Sequence, residues 1–261
     1  MIDQPVALIT GGGTGVGKAC SVRFAEKGYA VIVNYSRSER EATETVNEIA
    51  AAGGQARLAQ CDVSDNTSVC EMIDQVAAEF GRLDVVVNNA ATTNFIPHEK
   101  LDELTEEMWD RMMAVNVKGA FFVTRAAAPL LKQSDQTKPQ AMANAAMING
   151  AVVNIASVAG LTGSGSSIAY CASKGALITM TKSLARVLAP NVTVNAVCPG
   201  PIDSRWIREG NPDWDLNEMV AGYPIPRASQ PDDIADAVIY FCTGNRIATG
   251  QVLSVDGGQT L

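Results

Sequence analysis

The sequence predicts an α/β fold: a doubly wound, mostly parallel sheet of seven strands with helices on both faces. Three observations predict it. Short runs rich in Val and Ile alternate with longer helical patterns along all 261 residues. The short runs are continuous in hydrophobicity, as expected of parallel strands covered on both faces. Several helical patterns stop at a glycine, the residue that most easily takes the left-handed conformation ending a helix. Alternation of this kind implies right-handed β-α-β crossovers and an open sheet.

The expected strands are VALIT (6–10), AVIVN (30–34), ARLAQCD (56–62), LDVVVNNA (83–90), AVVNIAS (151–157), VTVNAVC (192–198) and VLSVD (252–256). Helical patterns lie near 17–27, 38–52, 66–80, 105–132, 168–189 and 231–242, with Gly28, Gly53 and Gly81 placed as C-caps. SQPDD at 229–233 reads as a helix start, with Ser229 as cap, Pro231 in the first turn and acids at the positive dipole end. No repeat or linker divides the chain, so one domain spanning 1–261 is expected.

Two segments interrupt the rhythm. Residues 133–150, QSDQTKPQAMANAAMING, join a helix end to a strand start, opposite the strands' carboxyl ends where ligands bind in such folds. They read as a surface or subunit-contact excursion. Residues 203–224 leave a strand's carboxyl end and so can cover a ligand, with Trp206, Trp214 and Tyr223 as an apolar wall. An ordinary packed helix pair is the other reading of this stretch.

Composition narrows the function classes. Hydrophobic residues make up 47% and charged residues 18%, which suits a globular enzyme and argues against disorder. A formal charge of −8 with no basic run disfavours a nucleic-acid partner. The longest apolar stretches are too short to span a bilayer, so no membrane partner is expected. Only MIDQP precedes the first strand, too little for a signal segment, and a cytoplasmic location is the expectation. Six cysteines without paired spacing read as small buried hydrophobes in a reducing compartment. His98 is the only histidine and reads as a loop residue; no metal site or Ser-His-Asp triad is expected.

LITGGGTGVGK joins the first strand to the first helix. Glycines let a backbone approach a diphosphate, and a helix N-terminus offers unpaired N–H groups. Val16 and Lys18 spoil both G-x-G-x-x-G registers, and no G-K-[ST] ending marks a P-loop. The pattern is instead Thr10-Gly11, three residues, then Gly15-x-Gly17.

This T-G-x-x-x-G-x-G pattern is similar to the cofactor loop of the short-chain dehydrogenase/reductase family. So are CDV at 61–63, NNAA at 88–91, VNVKGAFF at 115–122, NIASVAG at 154–160, YCASK at 170–174, NAVCPGPI at 195–202 and DGG at 256–258. The motifs stand in the family's order and cover nearly the whole chain, with the 3-oxoacyl-acyl-carrier-protein reductase branch the one most resembled. The resemblance implies a Rossmann fold and an NAD(P)-dependent oxidoreductase acting on a carbonyl or secondary alcohol.

Carried over residue by residue, the resemblance assigns catalysis to Asn116, Ser157, Tyr170 and Lys174. The expected cofactor residues are Gly11, Thr14, Gly15, Val16 and Gly17 at the diphosphate, and Asp62 and Val63 at the adenine. Asn89 and Ala90 follow the ribose side, and Pro199, Gly200, Ile202 and Ser204 attend the nicotinamide. Ala91 and Ser204 depart from the usual Gly and Thr of the family. Tyr170 is the general acid for reduction and base for oxidation. Lys174, one turn along, supplies a positive charge worth ~4 kcal/mol at an effective dielectric of ~20, enough to lower the phenol by roughly two or three pH units. It also holds the nicotinamide ribose. Ser157 stabilises the reacting oxygen. Asn116 holds a relay water, or else is a helix-interior amide bonded to its neighbours.

At the end of the second strand, where NAD-dependent relatives carry an acid, stands Tyr35, followed by Ser36 and Arg37. Guanidinium suits a phosphate, so NADP(H) is preferred and NAD(H) is possible. A solvated charge at a helix start is the plain alternative for Arg37. The leading expectation is an NADPH-dependent ketone or 3-oxoacyl reductase. An NAD-dependent alcohol dehydrogenase and a catalytically silent dinucleotide sensor are the alternatives. Relatives usually form dimers or tetramers through the helices at 105–132 and 168–189, so a homo-oligomer, with a tetramer as the first choice, is expected.

Overall fold

The computed structural model describes residues 4–133, 149–210, 214–244 and 247–261. Strands β1 (Val6–Ile9), β2 (Ala30–Tyr35), β3 (Gln55–Gln60), β4 (Val85–Asn88), β5 (Gly150–Ile155), β6 (Val192–Pro199) and β7 (Val252–Val255) form one sheet in the order β3-β2-β1-β4-β5-β6-β7. All pairings are parallel. The fold is the doubly wound Rossmann arrangement expected.

Period-two alternation divides the core between the two faces. In β1, Val6 and Leu8 pack into one cluster with α3 (Asn66–Phe80), α5 (Ala120–Gln133) and α7 (Ile168–Leu188). Ala7 and Ile9 pack into the other, with α1 (Gly15–Glu26), α2 (Glu39–Ala51) and α10 (Pro231–Ile239). Such apolar side chains each contribute about 1.5–3 kcal/mol on burial. That is why the inner strands contain so few polar residues.

The helix ends follow from local chemistry. Asp65 caps α3, accepting from the Thr67 and Ser68 backbone N–H groups. Gly28, Gly53 and Gly81 have φ of 82°, 82° and 70°, the left-handed region reserved in practice for glycine. Ser229 is not the cap expected of it. Its N–H and C=O are committed to Pro201 and Asp203, so Gln230 starts α10, and the Asp233 carboxylate accepts from the Gln230 N–H at 2.8 Å.

The expected single helix over 105–132 is three pieces. α4 (Glu106–Met113) runs into a π-helical turn (Ala114–Gly119) and then into α5. Gly119 allows the close fit: a Cβ there would lie 2.7 Å from Val63 Cγ2. The last helix likewise ends in a π turn at Tyr240–Gly244. The stretch after β6 holds two short helices, α8 (Arg205–Gly210) and α9 (Leu216–Val220). The excursion expected at 133–150 falls, for residues 134–148, outside the described residues. Among the described residues no helix is long and apolar enough to cross a membrane.

Strand order reverses between β1 and β4, opening a crevice at their carboxyl ends. The loops leaving β1, β4, β5 and β6 converge there, and α6 (Ala159–Thr162) lies in the loop after β5.

Candidate active site

The glycine loop is built to let backbones touch. Gly11 and Gly15 have φ of 61° and 51°. A Cβ on Gly17 would fall on the Gly11 carbonyl oxygen and 2.6 Å from Asn89 Nδ2, and one on Gly13 would lie 2.7 Å from Ala42 Cα. Gly15 differs, because a Cβ there would meet no described atom within 4 Å. Thr14 is the N-cap of α1 and makes no side-chain cap bond. The first turn of α1 thus has no side-chain cap and open space beside Gly15, which fits a diphosphate. Val16 turns inward and packs in the core.

Three side chains hold this loop, two of which sequence reasoning left unassigned. Asn34 Oδ1 accepts from the Gly11 N–H at 3.2 Å, while its amide donates to the Ala59 and Cys61 carbonyls. Thr10 Oγ1 accepts from the N–H groups of Asn89 and Ala90. Asn89, expected along the ribose, donates its amide to the Thr10 and Gly11 carbonyls at 2.9 and 3.1 Å. Nothing in the sequence pattern marks Asn34, because its partners lie in the loop after β1 and at the end of β3.

Asp62, expected at the adenine, accepts from the Ser64 N–H and hydroxyl and from Arg111 Nη2 at 3.0 Å. Burial works against its charge, yet these bonds prevail and hold the carboxyl below its ordinary range. Val63 is buried against Gly119. Ser36 is half-buried; Arg37 is exposed and makes no hydrogen bond or ion pair among the described residues. Burial, and then the Glu39 carboxylate to which it hydrogen-bonds, push the Tyr35 phenol up.

Ser157, Tyr170 and Lys174 come together at the carboxyl end of β5. Ser167 caps α7 by accepting from the Tyr170 N–H at 3.2 Å, which sets Tyr170 in the first turn. The pattern of a serine three residues before Tyr170 was a legible signal for that cap. The Tyr170 hydroxyl hydrogen-bonds Ser157, whose Oγ also accepts from the Ala159 N–H at 3.1 Å. Lys174 is buried, its Nζ 5.6 Å from the Tyr170 ring centroid and donating to the Ile155 carbonyl at 2.7 Å. Gly160 makes the approach possible, since a Cβ there would lie 2.6 Å from the Gly175 nitrogen.

The electrostatics differ from the sequence expectation. Burial pushes the Tyr170 phenol up to about 12, against the opposing bond to Ser157. Burial also pushes the Lys174 ammonium down to about 8. Desolvation disfavours both charged forms, so Tyr170 stands above its ordinary range and not below it. Burial likewise raises the Cys198 thiol, enclosed beside Ser157, to about 11. All six cysteines are free.

Asn116 lies in the π turn, buried. Its amide N–H groups donate to the Thr92 carbonyl and Ser173 Oγ, both at 3.0 Å, and its Oδ1 accepts from the Thr92 N–H at 2.8 Å. Both side-chain N–H groups are therefore used in tying the loop after β4 to α7. Gly200 lies against Asp256, where a Cβ would be 2.9 Å from Cα, and its N–H donates to Val255. The Pro199 carbonyl accepts from the Val158 N–H at 3.0 Å, joining the β5 and β6 loops. Ile202 pairs with Ser229, and the Ser204 carbonyl begins α8. Arg205, next in sequence, reaches Glu41 on α2 at 2.8 Å.

A cavity of about 180 Å³ lies beside this centre, its walls including Phe95, His98, Gly165 and Trp214. Of the three residues expected to form an apolar wall, only Trp214 lines it; Trp206 is exposed and Tyr223 lies toward Gly257.

The family model described as Enoyl-(Acyl carrier protein) reductase matches residues 11–260. A Streptomyces violaceoruber protein named as ketoacyl reductase 2 of the granaticin polyketide synthase is 38% identical over 260 residues, covering 99% of this chain and 97% of that one. The 3-oxoacyl-acyl-carrier-protein reductase FabG of Staphylococcus aureus is 36% identical over 255 residues, covering 97% and 96%. A solved Burkholderia xenovorans structure described as a short-chain dehydrogenase/reductase superposes with a TM-score of 0.88 at 35% identity, covering 99% and 98%. Likeness of this extent, over a fold that assembles the same motifs, shows that the chain belongs to the short-chain dehydrogenase/reductase family and is an oxidoreductase acting on C=O or CH–OH groups.

Proposed function

We propose that the protein is an NADPH-dependent carbonyl reductase, acting on a ketone or a 3-oxoacyl group, with all 261 residues forming one catalytic domain. The observation that carries this reading is the Tyr170 hydroxyl on Ser157 with Lys174 buried beside its ring. The names of the ketoacyl and 3-oxoacyl reductase relatives support the substrate class.

The glycine loop and the open N-terminus of α1 would hold the diphosphate, Asp62 the adenine and Lys174 the nicotinamide ribose. The nicotinamide, when bound, supplies the hydride. Ser157 Oγ donates to the substrate oxygen and keeps it within reach of Tyr170. Tyr170 then gives its proton to that oxygen. With a phenol near 12, the acid form dominates at neutral pH, the form that the proton donor in reduction requires. Lys174 carries its proton below about 8 and stabilises the phenolate left behind. Asn116 braces the loop through Thr92 and Ser173, and its Oδ1 accepts from the Thr92 N–H, so a relay water at this position would be held by the one oxygen lone pair that remains.

Arg37, exposed and unpaired among the described residues, supports the 2′-phosphate reading. One observation favours NAD(H) instead: the Tyr35 hydroxyl draws the Glu39 carboxylate toward the end of β2. Exposed Phe121 on α5 and Val187 on α7 support a homo-oligomer, with a tetramer the family precedent. Free cysteines support a reducing, cytoplasmic setting.

The test is NADPH oxidation with ketones and 3-oxoacyl thioesters, comparing wild type with Tyr170→Phe. Loss of 10²-fold or more in kcat is expected, the usual scale of general acid catalysis. Undiminished turnover by the phenylalanine variant would remove Tyr170 from the chemistry. Equal efficiency with NADH would remove the role of Arg37.

A further inference from the structure

We propose that Arg205 and Glu41 form a latch that holds α8 across the cofactor crevice, and that its opening sets the rate at which the nicotinamide cofactor leaves; this rests on the reductase reading.

The two residues stand on opposite sides of the crevice. Glu41 is in the first turn of α2, the helix on which the glycine loop rests. A Cβ on Gly13 would lie 2.7 Å from Ala42 Cα, and the Thr45 hydroxyl donates to the Gly13 carbonyl at 3.2 Å. Arg205 begins α8, directly after Ser204, the residue expected at the nicotinamide. Its Nη1 donates to Glu41 Oε1 at 2.8 Å. In the sheet, β1, β4 and β5 separate β2 from β6. A link between the segments that leave β2 and β6 therefore spans the strand ends where the crevice lies.

Little else holds α8. None of its residues is buried. Its far end packs on the loop after β4, since a Cβ on Gly210 would fall on the Phe95 ring. Among the described residues, the bond to Glu41 is the one hydrogen bond or ion pair that joins α8 to another helix or strand. Elements with so few buried contacts open at low free energy.

Each charge also has a second partner on its own side. Arg205 Nε lies 3.5 Å from Glu209, one turn along α8, and Glu41 lies 3.5 Å from Arg40. When the crossing pair parts, neither charge is left alone, so the contact has two discrete arrangements. Arg205 is 51% exposed and Glu41 21%, and exposed pairs are individually weak, which suits a contact that opens and closes. The bond from Arg205 does most to hold the Glu41 carboxyl down, at about 2, so the pair stays charged at neutral pH.

The experiment follows NADH and NADPH release by stopped-flow fluorescence in wild type, Glu41→Gln, Arg205→Gln, Arg205→Lys and the double variant with both Gln substitutions. Hydrogen exchange of the α8 amides is measured in the same proteins without cofactor. Each Gln substitution should speed release of both cofactors roughly two- to five-fold, the scale of one exposed ion pair, and the double variant should add nothing further. Arg205→Lys should keep part of the restraint. The α8 amides should exchange faster in all three Gln-bearing proteins. Plain attraction between these charges and an anionic cofactor predicts a different pattern, in which losing Arg205 speeds release and losing Glu41 slows it. That opposed pattern, unchanged release, or unchanged α8 exchange overturns the proposal and leaves the reductase reading standing. Faster release in both single variants with no turnover of any carbonyl upholds the latch and overturns the reductase reading.

Discussion

Lys174 Nζ donates to the carbonyl oxygen of Ile155 at 2.7 Å, so the ammonium is held by the end of β5, 19 residues back in the chain. Burial there brings its loss of a proton to about 8, while Tyr170 stays protonated to about 12. The sign follows: reduction needs the protonated phenol and is helped by the charged lysine, so kcat should be flat at neutral pH and fall above about 8. Lys174→Met should lower kcat roughly 10²-fold and erase that limb. A pH profile of wild type and variant checks this; an identical alkaline limb in both would exclude Lys174 as its origin.

Asn116 makes three hydrogen bonds that join the loop after β4 to α7. Asn116→Ala strands a half-buried partner at Thr92 and a buried one at Ser173, and should destabilise the fold by about 1–3 kcal/mol. Urea unfolding monitored by circular dichroism measures it. A change below about 0.5 kcal/mol would mean that water replaces the amide fully.

Arg37 stands unpaired among the described residues at the end of β2, two residues beyond Tyr35. Arg37→Ala should weaken NADPH binding roughly ten-fold or more, the scale of one charge-assisted contact, and leave NADH binding unchanged. Fluorescence titration of both cofactors decides it. Parallel loss for both would place Arg37 away from the 2′-phosphate.

Arg111 pairs with Asp62, the residue proposed to hold the adenine, by a 3.0 Å ion pair whose members are 43% and 37% exposed. Exposed pairs contribute about 0.2–1 kcal/mol. Arg111→Ala should therefore weaken NADPH and NADH together by up to about five-fold, with kcat unchanged. A fall in kcat would show that the contact reaches the reacting centre.

The sequence by itself determined the strand and helix order, the glycine loop and the spacing of Ser157, Tyr170 and Lys174, because these rest on local periodicity and on short-range steric rules. It also determined the left-handed turns at Gly28, Gly53 and Gly81, where the residue type alone permits the conformation. The tertiary structure decided what depends on partners far along the chain. Asn34 braces the glycine loop from β2, Asn116 bends into a π turn to reach Thr92, and His98 closes a cavity with Trp214. It also reversed the expected shift of Tyr170. A lysine one turn away is visible in the sequence, but the loss of water around both groups belongs to the folded packing, and that desolvation raises Tyr170 and lowers Lys174.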